Sequence, residues 1–193
     1  MNIILIGISG AGKGTQAKLL AQKYLINHIS SGELFRKEFA KKSPEGIAAH
    51  EFWNKGKWVP DEVTFNLIKL YLDKSANGFV LDGFPRTVNQ CLLLSDYCSA
   101  KKERITRVIY LLVSETEAVK RIKLRAVKDL AASGKCREDE TDELIKARFR
   151  SFIESVNPVL DYYRDKGLLL EINGERTVEE IFAEIVSKLT EKK

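Results

Sequence analysis

Apolar residues fall along this chain in short unbroken runs, separated by longer stretches with helical spacing. Ile3-Ile4-Leu5-Ile6 is the first run and His28-Ile29 a short second. Gly78-Phe79-Val80-Leu81-Asp82 is the third, Val108-Ile109-Tyr110-Leu111-Leu112-Val113 the fourth, and Leu168-Leu169-Leu170-Glu171-Ile172 the fifth. Continuous apolar runs mark strands buried on both faces. Their alternation with helices predicts an α/β fold: a parallel five-stranded sheet covered by helices on both sides. Start signals locate several helices. Ser114 with Glu117, and Thr177 with Glu180, have the spacing at which an N-cap hydroxyl and a carboxylate three residues on satisfy each other's N–H. Ser43-Pro44 reads as an N-cap followed by a first-turn proline. Residues 31–60 carry helices and no strand, and residues 122–138 are rich in basic and small residues with a Ser133-Gly134 break. Both are expected to leave the sheet.

The first run leads into Gly7-Ile8-Ser9-Gly10-Ala11-Gly12-Lys13-Gly14-Thr15, and then into the helical stretch Gln16-Ala17-Lys18-Leu19-Leu20-Ala21. Strand, G-x-x-x-x-G-K and helix, in that order, are what a phosphate-binding P-loop requires. Glycines let consecutive N–H groups converge on one point, and the helix N-terminus adds partial positive charge there. Lys13 adds a full charge able to reach the outer phosphates. The hydroxyl that commonly follows the lysine comes one residue later, at Thr15.

Composition narrows the class. The 193 residues suit one compact domain, with 31% charged and 44% hydrophobic residues and a net charge of +5. No apolar run approaches the roughly 18 residues of a membrane-spanning helix, and the N-terminal run lacks the basic flank and cleavage site of a signal peptide. Basic residues do not interleave with aromatics, so an RNA-binding module is disfavoured. Three cysteines argue against a disulfide framework. Cys91 and Cys98, if on one helix, lie about 10 Å apart along its axis, too far to bridge. A cytoplasmic home with no membrane or nucleic-acid partner follows.

Two further sets of residues carry candidate chemistry. Asp82 closes the third strand, where a carboxylate near a P-loop can organise magnesium; its alternative role is to start the turn before Gly83. Phosphoryl transfer depends on charge neutralisation, and arginine's fork matches phosphate oxygens. Arg36, Arg86, Arg121, Arg125, Arg137 and Arg148 stand at helix starts, after strands or in the second excursion. Arg121 and Arg125 share a helix face. His28 and His50 have no partners at metal or triad spacing, and His28 reads as a satisfied residue near a strand end.

The chain resembles the adenylate kinases, and more broadly the nucleoside monophosphate kinases, over essentially its full length. Gly7 to Thr15 is similar to that family's phosphate loop, and His28-Ile29-Ser30-Ser31-Gly32-Glu33-Leu34-Phe35-Arg36 to the start of its monophosphate-binding segment. Gly56-Lys57-Trp58-Val59 and Asp82-Gly83-Phe84-Pro85-Arg86-Thr87 with Gln90 are similar to two further motifs; the Gly-Phe-Pro-Arg-Thr element is the most specific of them. The resemblance implies a single nucleotide kinase domain over residues 1–193. Its core would be 1–30, 61–121 and 139–193, with an acceptor flap over 31–60 and a short lid over 122–138.

The same resemblance implies reversible, magnesium-dependent phosphoryl transfer from ATP to AMP, giving two ADP. ATP would be bound by Gly10, Ala11, Gly12, Lys13, Gly14, Thr15, Arg121, Arg125 and Arg176. AMP would be bound by Ser31, Arg36, Lys57, Trp58, Val59, Gly83, Phe84, Pro85, Arg86, Gln90, Arg137 and Arg148. Lys13, Arg86, Arg125, Arg137 and Arg148 would be catalytic, and Asp82 would hold Mg2+ through water. No zinc is expected, since this lid contains only Cys136 and a structural zinc site needs four ligands. A monomer is expected. Alternatives on the same sequence are a UMP/CMP kinase and a nucleotide-binding regulator without turnover; Thr87 and Gln90 resemble the adenylate type. Gln90 has two readings: a cap for the helix begun at Thr87, or an amide facing the acceptor base. Departures from the family pattern are Ser9 for proline, Ser31 for threonine, Glu33 for aspartate and Glu140 for the second of two aspartates. Ser30 and Glu33 also fit a capping box.

Overall fold

The computed structural model describes residues 1–134 and 141–191. Among them the chain runs β1 (Asn2–Ile6), α1 (Lys13–Tyr24), β2 (Asn27–Ser30), α2 (Ser31–Ala40), α3 (Pro44–Trp53), α4 (Asp61–Leu72) and β3 (Phe79–Asp82). It continues α5 (Val88–Ala100), β4 (Arg107–Leu112), α6 (Glu115–Ser133), α7 (Asp142–Asp165), β5 (Leu169–Asn173) and α8 (Val178–Thr190). The five strands form one sheet in the order β2-β3-β1-β4-β5. Every pairing is parallel, with Leu5 opposite both Asp82 and Ile109, and Ser30 opposite Asp82. The expected α/β architecture is therefore present, and each expected strand lies within a residue or so of its run.

Successive strand residues point to opposite faces, and two hydrophobic clusters divide accordingly. Ile4, Ile6, Ile29, Phe79, Leu81 and Val108 pack with Ile68, Leu94 and Leu160, from α4, α5 and α7. Ile3, Leu5, Val80, Ile109, Leu111 and Ile172 pack with Leu20, Ile122 and Ile185, from α1, α6 and α8. Each fully buried side chain of this size contributes about 1.5–3 kcal/mol. The two clusters meet on α7, whose Ile145 and Phe149 belong to the second and whose Val156, Val159, Leu160 and Tyr163 belong to the first. Pro158 lies inside this helix and has no N–H for the carbonyl of Glu154, so one rung of the ladder is missing there.

Caps follow the local sequence only in part. Ser43 accepts from Gly46 N–H with Pro44 in the first turn, and Thr177 with Glu180 makes both bonds of the capping box. At Ser114 only half of the expected box exists. The hydroxyl accepts from Glu117 N–H, but Ser114 N–H donates to Glu175 Oε1 at 2.7 Å while the Glu117 carboxylate takes Arg121 Nε at 2.8 Å. A guanidinium partner outcompetes a neutral N–H for the carboxylate. Ser30 makes no side-chain cap at all, so the Ser30–Glu33 box is not formed.

Residues 31–60 leave the sheet as α2, α3 and a turn, as expected. Residues 122–133 also lie outside the sheet, as the continuation of α6, and the helix stops at the expected break, at Ser133 with Gly134 in the left-handed region. Cys91 and Cys98 are free and buried on α5; Cys136 lies outside the described residues. No helix among the described residues is long and apolar enough to cross a membrane.

Candidate active site

The loop after β1 is shaped by close packing. Gly10 has φ +85, and a Cβ there would stand 2.5 Å from the carbonyl oxygen of Ala118, so the loop can lie against α6 only with glycine at this position. Gly12 caps α1, and Lys13 opens that helix. The Lys13 ammonium folds over the loop and donates to the carbonyls of Gly7 and Ile8, each at 2.8 Å. Burial pushes its pKa down to about 8; Asp82 pulls it back up, and Arg86 and Arg125 push it further down. Asp82 is next to the loop, since a Cβ on Gly14 would lie 3.4 Å from its Oδ2.

Across from the loop, the ends of β2 and β3 bring a second set of residues together. Ser31 Oγ donates to the carbonyl of Gly83 at 2.8 Å, tying α2 to the segment after β3. Arg86 Nε donates to the same carbonyl at 2.6 Å, and its guanidinium lies over the Trp58 ring. Burial lowers the Arg86 pKa to about 10, with Arg148 and Arg36 adding to the shift and Asp82 opposing it. These cations thus crowd one another in a partly dry place, an arrangement that a polyanion would relieve. Trp58 is fixed from its other end by Nε1 donating to Ser155 Oγ on α7 at 3.3 Å.

One cleft of about 700 Å³ takes in almost all of these residues. Gly10 to Thr15, Ser31, Arg36, Lys57, Trp58, Val59, Asp82, Gly83, Arg86, Gln90, Arg121, Arg125, Arg148 and Arg176 line it. Pro85 lines a small adjoining hollow of about 30 Å³ with Lys13, Trp58, Arg86 and Arg148. On the loop side of the cleft, Arg121 is held between Glu117 Oε1 and the carbonyl of Gly174, both at 2.8 Å. This ties it to the turn that carries Arg176, itself paired with Glu184.

Three expectations change. The Phe84 side chain does not line the cleft: it is 1% exposed and packs on Phe65 in the core cluster it shares with α4 and α5. Gln90 does not complete a capping box with Thr87. Its N–H donates to Thr87 Oγ1, but its amide oxygen accepts from Arg86 N–H, one residue earlier than the box requires. His28 is not satisfied: its Nε2 is buried without a hydrogen bond, 4.0 Å from Asp82 Oδ2. Arg137 lies outside the described residues.

Sequence reasoning missed Asp61, whose carboxylate holds Gln90, Thr87 and Asn89, and Glu117 with Gly174, which hold Arg121. The only local signal for Asp61 is an acid following Pro60 at a helix start, and that signal alone predicts a dipole role. Leu124, Lys128 and Asp129 on α6 also line the cleft, which extends beyond the residues singled out from sequence.

A loop of this kind, at the carboxyl end of a parallel strand and facing converging arginines, defines a P-loop protein of the phosphoryl-transferring class. A family model described as Adenylate kinase matches residues 5–168, and the chain belongs to the adenylate kinase family. Relatives include the adenylate kinase of Oceanobacillus iheyensis, 39% identical with all of both chains covered. Those of Clostridium botulinum (strain Loch Maree / Type A3) and Archaeoglobus fulgidus are each 36% identical, with 96% of both chains covered. The alignment with the Oceanobacillus protein runs to 215 positions against 193 residues here, so that relative carries segments this chain lacks.

Proposed function

We propose that the cleft transfers the γ-phosphoryl group of ATP to AMP, reversibly, giving two ADP. An oxygen of the AMP phosphate attacks the γ-phosphorus of ATP. One P–O bond forms while the bond from that phosphorus to the β,γ-bridging oxygen breaks, and the electron pair leaves with ADP. The observation that carries this reading is the single cleft in which Lys13, Arg36, Arg86, Arg125 and Arg148 all meet the phosphate loop. Such chemistry needs alignment and charge neutralisation more than a proton acceptor.

In this reading the loop from Gly10 to Thr15 and Lys13 hold the triphosphate, with Arg121 and Arg176 beside the donor base. Ser31, Arg36, Lys57, Val59 and Arg86 hold the monophosphate, and Gln90 meets its base. Arg125, Arg137 and Arg148 close on the group in transfer. Residues 31–60 would act as the acceptor flap and 122–138 as a short lid. Closure would exclude water, which otherwise accepts the phosphoryl group.

Magnesium fits the donor set. The Asp82 carboxylate lines the cleft beside Gly14, among the described residues no group donates a hydrogen bond to it, and the Thr15 hydroxyl is exposed nearby. Asp82, through water, and Thr15 would hold the ion, which neutralises charge on the transferring phosphates. Action as a monomer on these small nucleotides is part of the same reading. The free buried cysteines on α5 support a reducing, cytoplasmic setting. A coupled assay with ATP and each of AMP, CMP, UMP and GMP tests the reading. AMP is expected to be preferred by at least about tenfold in kcat/KM; a better rate with UMP or CMP would overturn it in favour of a pyrimidine nucleotide kinase.

A further inference from the structure

Gln90 is 1% exposed, lines the cleft, and has both ends of its amide engaged. Oε1 accepts from Arg86 N–H at 2.7 Å, and Nε2 donates to Asp61 Oδ1 at 2.7 Å. The other oxygen of Asp61 accepts from Thr87 Oγ1 at 2.8 Å and from Asn89 Nδ2 at 3.1 Å. Asp61 is the first residue of α4, where a carboxylate also complements the helix dipole. That role needs only its position, not three bonds to side chains at the start of α5.

The bonds fix the sense of the amide. A flip would set Oε1 against Asp61 Oδ1, acceptor to acceptor, and Nε2 against Arg86 N–H, donor to donor. Two buried mismatches of this kind are costly together. The amide still has one N–H and one lone pair to offer, and it offers them in one order. Adenine presents an exocyclic amine beside a ring-nitrogen acceptor. A 6-oxopurine presents a carbonyl beside a ring N–H, the reverse pattern, which a free amide could follow by turning over.

We propose that Asp61 is a specificity-determining positioning residue of the acceptor site, holding the Gln90 amide in the orientation that fits a 6-aminopurine monophosphate and rejects a 6-oxopurine. The inference rests on the reading of AMP as acceptor with Gln90 at its base.

The test compares AMP with inosine 5′-monophosphate, which reverses the hydrogen-bonding pattern without adding bulk. In Asp61→Asn, the donors Thr87 and Asn89 hold the new amide's oxygen on their side, so its amine faces Gln90 Nε2; either sense of the Gln90 amide then meets one mismatch, at residue 61 or at Arg86 N–H, and the preference for the parental orientation is lost. The AMP-to-IMP ratio of kcat/KM is expected to fall by at least about tenfold, with KM for ATP unchanged. Asp61→Ala removes the constraint without supplying a wrong partner, so its ratio should fall in the same direction but less. Asn89→Ala, which leaves the Asp61–Gln90 bond in place, should keep the parental ratio. Equal losses on both acceptors in the Asp61 variants, with the ratio intact, would make Asp61 a structural link between α4 and α5 and overturn the proposal. A parent that uses neither nucleotide brings down the AMP reading itself, whereas a parent selective for AMP with equally selective variants brings down only this inference.

Discussion

The guanidinium of Arg86 lies 4.1 Å from the centre of the Trp58 ring, so a proposed phosphate-binding cation rests on an indole that can report its movement. Cation–π contact of this kind is worth about 0.5–2 kcal/mol, less than two charged hydrogen bonds to a phosphate. The acceptor is therefore expected to draw Arg86 off the ring and change Trp58 emission. Trp53 sits instead among Phe35, Phe39 and His50. Trp53→Phe should keep an AMP-dependent fluorescence change, Trp58→Phe should lose it, and ATP alone should produce much less. A silent Trp58 signal while calorimetry registers AMP binding would mean that Arg86 stays where it is.

Replacing Lys13 with Met removes the loop's only full charge. The turn itself should persist, because Ala11 N–H still donates to the Ile8 carbonyl at 3.1 Å. Loss of one such electrostatic contact to a developing transition state typically costs a hundredfold or more, about 3 kcal/mol. The variant is expected to melt cooperatively with kcat reduced by at least that factor. Activity within a few-fold of the parent would sink the assignment of the loop.

The lowered pKa of Lys13 has its own signature. Free protein loses this proton near pH 8 instead of 10.5, whereas a bound phosphate anion favours the protonated form. Above pH 8, triphosphate binding should take up a proton, and affinity should fall as pH rises, at most about tenfold per unit. Calorimetry near pH ~8.5 in two buffers of different ionisation heat reads the uptake directly. The parent should show it and Lys13→Met should not.

Arg148 projects from α7 into the cleft near Arg86. If it acts on the group in transfer, Arg148→Ala should lower kcat by at least about tenfold while changing KM less. Arg137→Ala is expected to follow the same pattern. Steady-state kinetics on both substrates decide the matter: a change in KM alone would make these residues ordinary anchors.

What the sequence reveals here is what local pattern encodes. The strands are legible because Ile3 to Ile6, and Val108, Ile109 and Leu111, are buried from both sides and so carry no polar alternation. The loop is legible because glycine spacing and a lysine are read over nine consecutive residues. The Thr177 box forms as its four residues predict. Features built from distant parts are not legible in this way. Glu175 reaches Ser114 across 61 positions and Asp61 reaches Gln90 across 29, and neither pairing leaves a period or motif behind. Lys13 was readable as a cation, but its retracted pose on two carbonyls depends on the shape of the folded loop.

Helix α7 also bears on how the molecule comes apart. Its two halves are buried in different hydrophobic clusters, and Phe152 between them packs against both. Near the same stretch it meets the turn that follows α3: a Cβ on Gly56 would fall 2.5 Å from Ala147 Cβ, and Ser151 Oγ donates to the Gly56 carbonyl at 3.3 Å. Neither face of the sheet can lose this helix without exposing apolar surface on the other. The two faces should consequently melt in one transition, and the Arg148 backbone amide should exchange with deuterium only as fast as the whole domain unfolds.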